Sequence, residues 1–479
     1  MSSPQLRSPS VTHVAPAAAT RREVRVARAA RAARAVRRGT ALIALAPVLA
    51  MLLARPAAAQ AAPPAKGEAT RPFWRPAPPA AAKGGNGFSP ERLARIDRFL
   101  QSYVDQHQIA GAVGLVLRNG RVAYEKAVGW GDMEAGRRMT PDALFRIASQ
   151  SKAITSVAIM TLVEEGKIAL SDPVSRYIPA FTRTTVATKV DTGVAIVPAK
   201  RPITIRDLLT HTAGISYGTE SHVAKLYEAR GLGPAAGYGW YTADKDEPVC
   251  ETMERLASLP FVAQPGEAWV YGYNTDILGC VVEKASGMAL DAYVAERITG
   301  PLGMTDTFFY VPAAKRDRLT AVYGSNAEGT VVRAPDGARG QGHYADGPRR
   351  SFAGGAGLVS TARDYARFLQ MLLNGGELDG ARILAPHTVQ LMTTNHVGTL
   401  HSTTGLGFGL GFETTDAFGA NGMSSQGTYS WGGAYGSAYR VDPKEKLVVV
   451  FMVQQIPNRS DIRDRFPTLV YQALVGVNP

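Results

Sequence analysis

Phe145-Arg-Ile-Ala-Ser149-Gln-Ser151-Lys152 runs without a break into Ala153-Ile-Thr-Ser-Val-Ala-Ile-Met-Thr-Leu-Val163. An apolar run of this length, free of glycine and proline, predicts a buried helix over Lys152–Glu165. With the helix starting at Ser149, residues 149 and 152 stand at i and i+3 and share a face, so the lysine amine reaches the serine hydroxyl. A serine at a helix N-terminus also meets the positive end of the helix dipole, which stabilises developing negative charge. A serine hydroxyl is a poor nucleophile until a neighbouring base accepts its proton. A lysine does so only in its neutral form, which desolvation or a nearby cation favours. Taken alone the spacing is weak. With 13 lysines in the chain, about 0.7 serine-x-x-lysine matches arise by chance. The competing reading is a helix-capping serine beside a solvated lysine.

Outward from this segment, Ser89-Pro90-Glu91 combines a capping serine with proline at the first helical position. Leu93, Ile96, Phe99, Leu100 and Val104 then repeat with a helical period. Ala112–Leu117 and Val122–Val128, split by Asn119-Gly120, predict a β-hairpin. At the other end, Ser437–Val441 and Leu447–Val453 are strand-like, and a helix from about Asp461 to Leu474 follows. Helical segments at Lys152–Glu165, Ile205–Thr210, Thr275–Ser286 and Ala362–Leu373 lie between, joined by long Gly- and Pro-rich connections. The pattern predicts an α/β (α+β) fold. Both chain ends build one antiparallel sheet flanked by helices (about 88–148 and 300–479), and a mostly helical region (about 149–299) is inserted. A site is expected at the seam between them.

Ten arginines against the single acid Glu23 fall within residues 1–61, so most of the net charge of +13 sits there. The body is only mildly basic and shows no clustered stripe, which argues against a nucleic-acid partner. The arginines precede the apolar run Thr40–Ala54, broken by Pro47 and followed by Ala57-Ala58-Ala59. This is the pattern of a secretory signal over 1–61, too short for the ~20 residues of a spanning helix. Residues 62–87, rich in Ala, Pro, Gly and Lys, read as a disordered linker, and residues 88–479 as the functional domain. The expectation is an exported protein, periplasmic or secreted, without stable membrane insertion. Cys250 and Cys280 could bridge in an oxidising compartment, or Cys280 could be a buried free thiol. No Cys/His spacing suggests zinc, and neither metal nor cofactor is expected.

The segment Phe145–Lys152 is joined by Leu170-Ser-Asp-Pro-Val-Ser-Arg-Tyr-Ile-Pro-Ala-Phe181 and Ile205-Arg-Asp-Leu-Leu-Thr-His-Thr-Ala-Gly-Ile215. Pro265-Gly-Glu-Ala-Trp-Val-Tyr271 and Gly354-Gly-Ala-Gly-Leu-Val-Ser360 follow. In this order the motifs resemble the serine β-lactamase and penicillin-binding-protein superfamily over about residues 88–479, nearest to class C β-lactamases and family VIII carboxylesterases. The resemblance implies Ser149 as nucleophile, Lys152 as its partner, and Tyr271 as the second polar group, with either of the last two as general base. The β-lactamases carry asparagine two residues after that tyrosine. Here the position is Tyr273, with Asn274 next. Their K-T-G is replaced by Trp431-Gly432-Gly433-Ala434, as in the esterases. The resemblance further implies an oxyanion hole from the backbone N–H groups of Ser149 and Ala434. Trp431, Gly432, Gly433, Tyr273 and Tyr435 are candidate substrate contacts.

The expected function is therefore a serine hydrolase working through an acyl-enzyme. The expected substrate is a small-molecule short- to medium-chain ester, because tryptophan in place of the K-T-G lysine offers an apolar wall. A β-lactamase or D-alanyl-D-alanine carboxypeptidase is the alternative within the class. A non-catalytic binder of cell-wall or β-lactam-like ligands is the alternative outside it. Gly214-Ile-Ser216-Tyr-Gly218 also satisfies the G-x-S-x-G elbow of α/β-hydrolases. That elbow needs a strand before it and a helix after it, and here a helical segment precedes it. His211 reads as a structural residue.

Overall fold

The computed structural model describes residues 85–191, 193–234, 242, 244–337 and 340–476. All lie in the compact unit Glu68–Pro479, one of the two into which the chain divides. The expected signal segment and nearly all of the linker fall outside the described residues. Described structure begins with a short 3-10 turn at Gly85–Gly87, and Phe88 is already buried.

Helix α1 (Pro90–Asp105) is capped by Ser89, whose side chain accepts the Arg92 N–H. Strands β1 (Gly111–Arg118) and β2 (Arg121–Asp132) form the expected hairpin. Asn119 and Gly120 both turn at positive φ, as a tight two-residue hairpin turn requires. A short β3 (Arg137–Arg138) pairs with β2. Helix α2 (Ser151–Glu164) follows, buried on all sides along Ser151–Leu162.

The inserted region is less purely helical than its composition suggests. Strands β4 (Thr185–Val190) and β5 (Gly193–Pro198) form a hairpin, and β4 also pairs in parallel with β6 (Pro260–Phe261). Valine- and threonine-rich sequence favours strands even within a helical layer. Helices α3 (Ile205–Leu209), α4 (Val249–Leu256) and α5 (Asn274–Ser286) complete the region used below. A Cys250–Cys280 disulfide, with Cα atoms 5.0 Å apart, joins α4 to α5.

Helix α6 (Ala362–Leu373) leads to β7 (Leu406–Phe408), β8 (Glu413–Thr415), β9 (Tyr429–Gly432), β10 (Ala438–Asp442) and β11 (Leu447–Val453), and α7 (Ile462–Gln472) follows. The large sheet has the order β7-β8-β9-β10-β11-β1-β2-β3 with antiparallel neighbours, and so joins both ends of the chain. In β1 and β11 every residue is buried. Alternation explains this. Val113, Leu115, Leu117, Val448, Val450 and Met452 face one core with α2 and α6, while Ala112, Val116, Val449 and Phe451 face a second core with α1 and α7. Central strands covered on both faces read as continuous apolar runs.

Candidate active site

Ser149 lies not in the first turn of α2 but in a 3-10 turn just before it, Ala148–Gln150. Ala148 is held at φ 45°, a left-handed conformation costing a non-glycine residue about 1–2 kcal/mol. Its methyl is fully buried against Val322 and Tyr435, which locks the turn. Lys152 opens the first turn of α2 and is 2% exposed. Its Nζ donates to Gly355 O at 2.8 Å, to Tyr217 OH at 3.0 Å and to Ser149 Oγ at 3.3 Å. These three acceptors match the three donors of an ammonium. A neutral amine keeps two donors and one lone pair. Because Gly355 O can only accept, the lone pair then accepts a hydrogen bond from one of the two hydroxyls.

The Gly354-Gly355 loop is wedged between α2 and α5. Thr155 Oγ1 donates to Gly354 O at 2.9 Å, and the Gly355 N–H donates to Asp276 Oδ1 at 3.1 Å. A Cβ on Gly355 would lie 2.5 Å from Asp276 Oδ2, so only glycine permits this contact. Asp276 is fully buried, and its Oδ2 accepts no hydrogen bond. Burial pushes its carboxyl up to about 6, against the opposing pull of the Lys152 charge. A single residue, Gly355, thus connects a buried carboxylate to the amine that touches Ser149.

Tyr217 comes from the segment after α3 and lies inside the G-x-S-x-G stretch. Its phenol is pushed well above the ordinary tyrosine range, first by burial and then by Tyr271, Asp276 and Tyr273. It therefore stays protonated. Tyr271 packs its ring 4.7 Å from Lys152 Nζ, and its hydroxyl accepts the Trp431 Nε1–H at 3.2 Å. The two tyrosine rings meet edge to face.

Ser149, Tyr217, Tyr271, Trp431, Gly432, Gly433 and Ala434 line one cleft of about 530 Å³ at the seam between the sheet and the inserted region. Gly433 is pressed against the chain before the serine: a Cβ there would lie 2.5 Å from Ile147 O. Two other expected contacts are placed elsewhere. Tyr273 is fully buried, meets the Tyr217 ring edge to face and accepts the Gly233 N–H at 3.1 Å, so its hydroxyl is turned away from the cleft. Tyr435 packs beneath the Ser149 turn. Asn274 does not substitute for the missing amide, since its Nδ2 lies 2.9 Å from His211 Nδ1 and also donates to Ile215 O and Val270 O.

Ser216 is fully buried, its Oγ accepting the Gly218 N–H at 3.0 Å, and a helix precedes it where the elbow needs a strand. His211 is held well below the ordinary histidine range by burial and then by the Lys152 and His401 charges, so it is a neutral, packed ring. Sequence reading missed Tyr217 and Asp276 as members of the site. The tyrosine sat in a motif read for its serine, and the aspartate sat in the first turn of a helix, where acids are common.

The sequence model of the family described as Beta-lactamase matches residues 96–472. Protein Rv1367c of Mycobacterium tuberculosis is 35% identical over 386 residues, 75% of this chain and 90% of that protein. Esterase EstB of Burkholderia gladioli is 32% identical over 377 residues, 75% of this chain and 89% of EstB. Among solved structures, EstCE1, described as a hydrolase with promiscuous acyltransferase activity, superposes with a TM-score of 0.66 at 30% identity. That superposition covers 81% of this chain and 99% of EstCE1.

Proposed function

From the premise that the chain belongs to the beta-lactamase family and is a serine hydrolase, we propose that it is a carboxylesterase with Ser149 as nucleophile. The observation that carries the reading is the contact of Lys152 Nζ with Ser149 Oγ inside a cleft walled by Trp431. The likeness to an esterase supports it.

In this mechanism Ser149 Oγ attacks the ester carbonyl and Lys152, in its neutral form, takes the hydroxyl proton. Lys152 is favoured over Tyr271 as base because it touches both Ser149 and Tyr217, whereas the Tyr271 hydroxyl is engaged by Trp431. Tyr217, a phenol that keeps its proton, holds the amine in place. Tyr271, on the cleft wall, passes a proton to the departing alkoxide and regains one from protonated Lys152, which leaves the amine neutral for the second step. The backbone N–H groups of Ser149 and Ala434 face the developing oxyanion, and one such donor is worth about 3 kcal/mol. Water then attacks the acyl-enzyme, with Lys152 accepting its proton and returning one to Ser149.

The test is hydrolysis of a 4-nitrophenyl ester series by the protein and by Ser149→Ala and Ser216→Ala. The expected result is loss of turnover only in Ser149→Ala, with both variants folded. A dead Ser216→Ala beside an active Ser149→Ala would overturn the assignment. Turnover of cephalosporins or D-Ala-D-Ala peptides in place of esters would move the substrate to the other branch of the family.

A further inference from the structure

The ribbon of β4 and β5 in the inserted region ends in an open edge. Its small sheet has the order β5-β4-β6, so β5 has a neighbour on one side only. The Ala199 N–H donates to Thr184 O at 3.0 Å, which makes these two a hydrogen-bonded pair. From there the register runs unbroken, from Thr185 opposite Pro198 to Val190 opposite Gly193. Hydrogen-bonded pairs recur at every second residue, so Val197, Ala195 and Gly193 turn their backbone groups toward β4. Val194 and Ile196 turn theirs outward, and among the described residues neither meets a partner there. Pro198, which has no N–H to leave unpaired, is the next residue on that side.

Open edges recruit further strands, and proteins ordinarily blunt them. The large sheet is blunted at both ends. Its β3 is the charged pair Arg137-Arg138, and at β7 the Phe408 carbonyl accepts the His396 N–H at 2.9 Å. By contrast β5 carries no charged residue, and its Val194 and Ile196 are 42% and 51% exposed. Two residues apart on a strand, they share a face. Their neighbours on that face of β4 are Lys189, opposite Val194, and the buried Ala187, opposite Ile196.

We infer that β5 is an interface between two copies of this chain, paired antiparallel about a two-fold axis at Ala195. The strand is complementary to itself. With the two Ala195 residues opposed, the Val194 N–H and C=O meet the C=O and N–H of the partner's Ile196, and the same exchange recurs across the axis. Every outward group of Val194 and Ile196 is then bonded. On the exposed face Val194 stands beside the partner's Ile196, so Ala187, Val194 and Ile196 of both copies make one apolar strip. The two Lys189 side chains fall at opposite corners of that strip, which keeps like charges apart. A second copy supplies this match by identity, and no charge on β5 selects a different partner. A ribbon this short buries less than the ~1,200 Å² of a standard interface, so the dimer dissociates on dilution.

Ala195→Cys is the direct test. Opposed residues of a non-hydrogen-bonded pair have Cα atoms about 4.5 Å apart, within disulfide reach. The two native cysteines are bridged to each other, so the new thiol can bridge only to its counterpart in the second copy. The variant should oxidise to a covalent dimer on a non-reducing gel, and Lys189→Cys, at the corner of the strip, should not. Sedimentation velocity of the wild-type protein should show monomer passing to dimer as concentration rises from about 1 to 500 µM. Ile196→Lys changes one exposed side chain, and Val194→Pro removes an outward N–H and none that faces β4. Both should stay monomeric at the highest concentration, with circular dichroism and melting curves showing them folded. A monomer at every concentration, with Ala195→Cys no more cross-linked than Lys189→Cys, overturns the interface. A dimer that survives both variants forms through another face and also overturns it. Cross-linking of Ala195→Cys to a different protein instead of to itself overturns the second copy as the occupant of this edge.

Discussion

Around Lys152 each contact has a separable consequence. Tyr217→Phe removes one of the three partners of the amine while leaving the ring packed. The expected loss in kcat/KM is about 10²-fold, the lower range for a group assisting proton transfer. Steady-state kinetics beside Tyr271→Phe would rank the two hydroxyls. Asp276→Asn is informative through pH. The Asp276 carboxyl titrates near 6, so a limb near pH 6 in the kcat/KM profile should be lost in the variant. A role limited to packing would lower the plateau and leave the limb in place. The same residue leaves a mark on stability. Its folded-state carboxyl titrates near 6, above the ordinary value of about 3.9. The folded state therefore binds the extra proton, and stability contributed below about pH 4 is lost as pH rises through 6. The melting temperature of Asp276→Asn minus that of the wild type should be larger at pH 8 than at pH 4.5.

At the scale of elements, the site depends on the turn after β9 lying against the turn before α2. Gly433 is the contact point, and a methyl there cannot fit against Ile147 O without backbone movement. Gly433→Ala should reduce ester turnover by at least about 10²-fold, since misplacement by an ångström has that effect on positioned groups. Overpacking of this kind costs about 1–3 kcal/mol, so the variant should still fold, as circular dichroism would report. The Cys250–Cys280 bridge acts elsewhere. It closes a loop of sequence separation 30 between α4 and α5, the helix that carries Asp276. Loop-closure entropy assigns such a bridge about 3–4 kcal/mol. Reduction, or Cys250→Ala with Cys280→Ala, should lower the melting temperature, as differential scanning calorimetry would show.

At the scale of the whole molecule, the sheet ties residues near both ends of the described chain, and the bridge agrees with folding in an oxidising compartment. We propose export on that ground together with the arginine-rich, apolar start. N-terminal sequencing of protein recovered from the periplasm or medium should show cleavage after the Ala57-Ala58-Ala59 region, and a protein beginning at Met1 would overturn it. Much of this architecture was readable from the sequence. Strands buried on both faces are continuous apolar runs, capping residues mark helix starts, and Asn119-Gly120 specifies a two-residue hairpin turn. Ser149 and Lys152 were readable because a helix brings i and i+3 together by local geometry alone. The cleft glycines were readable through the motif they replace. Tyr217 and Asp276 were not. Each reaches its place through contacts between segments far apart in the chain, and nothing in their local sequence distinguishes a cleft residue from an ordinary core or surface one. Tyr273 shows the converse: its position in the motif suggested the cleft, but packing turned its hydroxyl to Gly233. Periodicity and local spacing determined the elements and the serine–lysine pair, whereas long-range packing decided which side chains converge on them.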